Sequence, residues 1–305
     1  MTYDAEIKRS NPTCFVFLVD QSGSMNDVLN PTNIGVYDKP VQRERDFYTT
    51  YADGATKADA LADSVNQMLF DFITSCSRGE VVYDFFRVGI IGYGATVASA
   101  FVGPLAGREL VGISELSESP ASVMRIETEV EIGDGRMVNE VREQPTWIEP
   151  RSHGGTPMRE AFDLAHEYLA EWVGRNPSSY PPIVLNITDG EFEEADASSA
   201  AVRLRSLRTD DGDVLLFNAQ LTASKLTPVM FPDSEAAVPD DAYARSLFRL
   251  SSLVPESMKP RLQRIMRLAS VPPGTRGFAF NAAMSDINKF LEIGTRPANL
   301  DQQLR

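Results

Sequence analysis

The chain has 305 residues, and its 29 Lys and Arg against 43 Asp and Glu give a net charge of −14 at pH 7. That acidity speaks against general nucleic-acid affinity, which needs clustered cations, and it fits a soluble protein able to meet a basic partner surface. Hydrophobic residues make up 43%, enough for a large core, yet no run of about 18 apolar residues offers a membrane span. The start of the chain lacks a basic segment followed by an apolar core, so no secretory signal is read and a cytoplasmic location is expected. Cys14 and Cys76, the two cysteines, are accordingly expected as reduced packing residues rather than a disulfide.

Taken in order, the pattern alternates strands and helices. A β-rich apolar run at 14–20 predicts the first strand. After it, residues 56–76 carry Ala60, Leu61, Val65, Met68, Leu69, Phe72 and Ile73 as an apolar stripe at helical spacing. A second strand is predicted at 85–93, with an antiparallel partner at about 96–102 reached through Gly94-Ala95. Residues 158–173 form the next helix, 183–188 a strand, 197–208 a helix and 213–219 a strand. The end of the chain holds helical stretches at 240–253 and 257–269, a short strand at 277–280 and a closing helix at 284–292. This alternation predicts an α/β fold: a doubly wound, mostly parallel central sheet with one antiparallel edge strand and helices on both faces.

Residues 1–305 are read as one domain with a helical C-terminal extension from 222 to 305. Two segments interrupt the rhythm. Residues 26–55 stand between the first strand and its helix and carry Asp27, Asp38, Arg43, Arg45, Tyr48 and Tyr51. Residues 104–150 form a second, acidic elaboration in which Glu127, Glu129 and Glu131 alternate with Ile126, Val130 and Ile132, the mark of an exposed hairpin or edge strand. Loops of such length are functional or disordered.

The chemistry concentrates where strands end. The run Phe15-Val16-Phe17-Leu18-Val19 stops at a carboxylate, Asp20, followed by Ser22 and Ser24 around Gly23. A buried strand that delivers an Asp and two hydroxyls to its end makes an oxygen-rich nest suited to a hard divalent cation. Gly154-Gly155-Thr156-Pro157-Met158 opens the helix after residue 157, with Thr156 expected at the N-cap and Pro157 at the first helical position. The run Ile183 to Thr188 again ends in a carboxylate, Asp189, followed by Gly190 and Glu191. In a sheet of this class a ligand site lies beyond the carboxyl ends of the strands, where both acids are placed. Taken singly, these residues read first as loop caps and turn or N-cap hydroxyls, and only their joint, ordered occurrence favours a metal site. Soft-metal chemistry finds no Cys/His cluster, since His153 and His166 are the only histidines. His153 reads as a residue of the loop rim.

The segments Phe-Leu-Val-Asp-Gln-Ser-Gly-Ser-Met, Ile-Gly-Tyr-Gly, Gly-Gly-Thr-Pro-Met and Ile-Thr-Asp-Gly-Glu together resemble the von Willebrand factor A family. Within it they look most like the bacterial intracellular TerY-like branch, over about 13–105 and 148–220 and the segment 278–290. The resemblance implies a metal-ion-dependent adhesion site, MIDAS, formed by Asp20, Ser22, Ser24, Thr156 and Asp189. It implies Mg²⁺ as the cofactor, with Mn²⁺ or Ca²⁺ as substitutes, and a metal completed by a Glu or Asp of a partner protein. No catalytic constellation accompanies the motif, so a non-enzymatic interaction module is expected. Its role by resemblance is an adaptor or scaffold in bacterial signalling, stress response or phage defence, with a kinase or phosphatase as partner. The alternative is a subunit docking on a MoxR- or chelatase-type AAA+ ATPase. A ribonucleoprotein role of the Ro type would need helical repeats and basic stripes, which the chain lacks.

Overall fold

A computed structural model describes residues 3–5, 7–28, 54–132, 136–190, 192, 194–221 and 226–281; for 126–142 and 194–196 it gives the backbone alone. The expected helix at 284–292, residue Glu191 and most of the first insert, with Asp38, Arg43, Arg45, Tyr48 and Tyr51, lie outside the described residues.

The chain begins with β1 (Thr13–Asp20) and the long α1 (Lys57–Cys76). A two-residue ladder, β2 (Ser77–Arg78) with β3 (Val81–Val82), leads into β4 (Phe86–Tyr93), β5 (Val97–Ser99), β6 (Val111–Gly112) and α2 (Ile113–Glu118). Then come the hairpin strands β7 (Ser122–Ile132) and β8 (Arg136–Thr146), α3 (Met158–Arg175), β9 (Ile183–Thr188) and α4 (Glu194–Ser206). The last elements are β10 (Leu215–Gln220), β11 (Val229–Met230), α5 (Ala242–Leu250), α6 (Lys259–Met266) and β12 (Phe278–Phe280).

The central sheet has the order β11-β12-β10-β9-β1-β4-β5, with β6 also on β4. The five strands from β12 to β4 run parallel, each next to its neighbour, and this is the doubly wound α/β fold that the alternating pattern predicts. The expected antiparallel edge strand is β5, and β6 and β11 pair antiparallel as well. The acidic segment folds as a hairpin, β7 with β8, which makes a sheet of its own instead of extending the central one. Towards the C-terminus α5 and α6 lie within the expected helical stretches, and the short strand expected at 277–280 is β12, which joins the central sheet beside β10.

Why the strands read as nearly continuous apolar runs is plain from their burial: every residue of β1, β9 and β10 is buried, so both faces are mostly apolar. Phe15, Phe17 and Val19 face a core shared with α1 and α6. Cys14, Val16 and Leu18 face the other core, with Phe162 and Leu169 of α3, Ala200 of α4 and Leu247 of α5. Both cysteines are buried and unbridged. The second core also carries a polar ladder across the sheet. Tyr93 Oη donates to Asn186 Oδ1 at 2.7 Å, Asn186 Nδ2 to Asn218 Oδ1 at 2.9 Å, and Asn218 Nδ2 to Ser251 Oγ at 2.9 Å. Each buried polar group thereby finds a partner and avoids a cost of about 1–3 kcal/mol. Among the described residues, no helix is long and apolar enough to cross a membrane.

Candidate functional site

Strand order turns at β1: the chain builds outward to β4 on one side and to β9, β10 and β12 on the other. Crossovers that leave in opposite directions open a crevice at the carboxyl ends of β1 and β9. Asp20 ends β1, and Asp189 follows Thr188, the last residue of β9.

Asp20 is 1% exposed and bonded on both oxygens. Oδ1 accepts from the backbone N–H of Ser22 at 2.8 Å, and Oδ2 accepts from Thr188 Oγ1 at 2.6 Å. Burial pushes its carboxyl up to about 6, against the opposing pull of those hydrogen bonds. Thr188 Oγ1 also accepts from the Gly190 N–H at 3.1 Å, so one hydroxyl ties the two strand ends together. Ser22 is buried and Ser24 exposed, and their hydroxyls lie 3.0 Å apart in the short helical turn Gly23–Asn26.

The segment before α3 is drawn to this loop through its backbone. Gly23 N–H donates to Gly154 O at 2.9 Å, His153 N–H to Gln21 O at 2.7 Å, and Ala95 N–H to His153 O at 2.7 Å. Gly154 holds φ +92°, a conformation that suits glycine, and a side chain there would strike Ala95 N. Thr156 follows two residues on, half-buried. It is not the N-cap: α3 begins at Met158 with Pro157 in the cap position, making no side-chain cap bond. Proline disfavours helical geometry in the residue before it, which holds Thr156 outside the helix and leaves its hydroxyl uncommitted to capping. His153 is exposed, as the loop-rim reading had it.

Asp189 differs from Asp20. Its side chain is 3% exposed, Oδ2 pairs with Lys57 Nζ at 3.2 Å, and Oδ1 is buried with no hydrogen-bond partner. Lys57, absent from the sequence-level site, is 6% exposed and also reaches Asp27 Oδ2 at 3.0 Å and Ser24 O at 3.4 Å. Its position is set by the N-terminus of α1, where Thr56 and Asp59 form a reciprocal capping box that makes Lys57 the first helical residue. Thr56 and Asp59 at that spacing were the available signal, but nothing local tells that the lysine turns inward. The first insert leaves and returns beside this group, since Val28 bridges Thr56.

The structure thus brings Asp20, Ser22, Ser24 and Asp189 to one end of the sheet and ties the Thr156 segment to the same loop. Among the described residues no three His, Cys, Asp or Glu side chains group as a metal centre. The donor set here is instead two carboxylates with hydroxyl oxygens, which suits a hard cation, and the unpartnered Asp189 Oδ1 fits such an ion. No protein-family model matches the chain, and no curated protein matches it.

Proposed function

We propose that the chain is a non-catalytic, metal-dependent protein-interaction module of the von Willebrand factor A type. In this reading Asp20, Ser22, Ser24, Thr156 and Asp189 hold Mg²⁺, or Mn²⁺ or Ca²⁺ in its place. The bound ion supplies an electron-poor centre that accepts a Glu or Asp of a partner protein. The observation that carries it is the buried Asp189 Oδ1 without a partner, at the same end of the sheet as the Asp20 carboxylate and the Ser22 and Ser24 hydroxyls. Asp20 orders the Ser22 loop through its backbone bond, and Thr188 holds Asp20 in turn. Exposed Ser24 and half-buried Thr156 leave the mouth of the site open to a partner side chain. An adaptor role in a bacterial signalling, stress-response or defence system rests on the motif resemblance alone.

The test is capture by tagged protein from host extract in Mg²⁺ and in EDTA, with Asp20→Ala alongside. A partner held only with Mg²⁺ and intact Asp20 is expected, with capture by the variant reduced at least about tenfold, the loss of one strong polar contact or more. Unfolding should move little at neutral pH, because two lost hydrogen bonds are offset by relief from burying a carboxylate whose ionised form is disfavoured. Capture indifferent to both EDTA and the substitution would sink the proposal.

A further inference from the structure

We infer that Lys57 is a built-in cation that balances Asp189 when no metal is bound and thereby sets the divalent-ion affinity of the site; this rests on the metal-site reading above. Three observations lead there. Lys57 is 6% exposed, which is unusual for lysine, so its ammonium has left bulk water. It occupies the first position of α1, where the positive end of the helix dipole opposes a cation. Its closest oxygens are Asp27 Oδ2, Asp189 Oδ2 and the Ser24 carbonyl, two of them on residues of the proposed ligand set.

A surface lysine would have avoided both costs by turning outward. This one stays because Asp189 needs a positive charge, and the 3.2 Å pair supplies it. A divalent ion entering beside Asp189 brings a second positive charge to the same carboxylate. The two cations repel at short range, and low local dielectric strengthens that repulsion. Asp27, with a side chain 63% exposed, offers the ammonium a second anchor on the outer side, so it can remain paired as the ion takes Asp189. The ammonium is too buried to greet a partner's carboxylate itself. Its influence acts on the ion.

Consequently the lysine holds the charge of Asp189 balanced without metal, while making the site bind metal less tightly than its oxygens alone would.

The experiment compares Lys57→Met with the full-length wild type. Mn²⁺ is titrated by calorimetry and by the loss of its free-ion paramagnetic resonance signal, and thermal unfolding is followed in EDTA and in excess Mg²⁺. Methionine has the length and shape of the lysine stem, so packing is kept and the charge removed. Lys57→Gln serves as a second variant if the first folds poorly. The expected result is Mn²⁺ binding roughly tenfold to hundredfold tighter than wild type, the scale of a strong coupling between neighbouring sites. With EDTA the variant melts lower, because Asp189 is left buried and unbalanced, and Mg²⁺ restores more of its stability than it adds to wild type.

Unchanged or weaker Mn²⁺ affinity in both variants overturns the inference and makes Lys57 a structural tie. Asp20→Ala separates the two levels. If wild type binds Mn²⁺ through Asp20 but Lys57→Met binds no tighter, only the lysine's role fails. If neither wild type nor Lys57→Met binds Mn²⁺, the metal site and the inference fall together.

Discussion

The loops that follow β1 and β9 both begin with a buried acid at the same edge of the sheet, yet they satisfy it in opposite ways. Asp20 receives two short hydrogen bonds from neutral donors, Ser22 N–H and Thr188 Oγ1, and has no cation beside it among the pairs described. Asp189 receives a cation, Lys57, on one oxygen and nothing on the other. Neutral donors fix geometry without cancelling charge, so Asp20 keeps a negative charge that burial makes costly. A salt bridge cancels charge but leaves coordination incomplete, so Asp189 keeps a spare oxygen. One acid organises its loop, and the other remains available. A chain selected for stability alone would have filled both positions with apolar residues, since a buried charge adds little and costs much.

The largest consequence of this difference concerns pH. Burial raises Asp20 to about 6 from an ordinary 3.8. Between those values the folded protein holds a proton that the unfolded chain has released, so stability present at low pH is lost as pH rises through that window. At about 1.4 kcal/mol per unit the effect reaches roughly 3 kcal/mol for so buried a group. Asp63 on α1 is also raised to about 6, by its own partial burial and by Asp59, and adds a smaller, water-screened contribution of the same sign. Urea unfolding of metal-free protein between pH 4 and pH 7 should therefore show falling stability, and Asp20→Ala should flatten most of it. A slope unchanged by that substitution would mean Asp20 is not the costly charge, and the contrast with Asp189 would collapse.

A second consequence is steric and somewhat smaller. The β1 loop is pressed against its neighbours: a Cβ on Gly94 would lie 2.5 Å from Gln21 O and 2.6 Å from His153 O, both backbone atoms that cannot swing aside. Gly155, two residues beyond His153, has nothing within 4 Å of an added Cβ. Gly94→Ala should cost about 2 kcal/mol by parting the two loops, whereas Gly155→Ala should stay within about 0.5 kcal/mol. Chemical denaturation of the two variants side by side measures this. Equal, small losses would show that the β1 loop is as loose as its mate, and that the hydrogen bonds from Gly23 and His153 do not hold the site.

Much of this end of the molecule was legible in the sequence because its signals are local. Asp20 and Asp189 each terminate a run of apolar residues, and the period of the flanking segments separates strands from helices. The sheet class and the strands that carry the two acids follow directly. What escaped is the long-range bonding. Lys57 lies 132 residues from Asp189, and Thr188 lies 168 residues from Asp20. Both looked like ordinary members of a helix start and a strand end. The Tyr93, Asn186 and Asn218 ladder was equally hidden, since a polar residue inside a strand does not say which other strand it will meet. Thr156 was misplaced by one position because the proline after it moved the start of the helix. Two contributions to the charge balance, an inward lysine and Asp27 at the edge of the insert, needed the fold before they had meaning.

Thr188 is where the comparison can be adjusted most finely, for its hydroxyl serves both loops: it donates to Asp20 and accepts from Gly190 N–H. Thr188→Val keeps the branched shape in a buried strand end and removes only that oxygen. Asp20 then loses the shorter of its two donors, and Gly190 N–H loses its partner. The bond to Asp20 is charge-assisted where that carboxyl is ionised and the bond from Gly190 is neutral, and valine's extra burial offsets part of the loss, so the net cost at neutral pH should be about 1–2 kcal/mol. The direction of a second effect is more telling. The Thr188 bond lowers the Asp20 carboxyl, so without it the pH at which stability is lost should move upward. Unfolding midpoints across pH 4 to pH 8 for wild type and Thr188→Val read both quantities at once. A stability loss with no upward displacement would mean that Thr188 merely packs between the loops, and that Asp20 is held by its own turn alone.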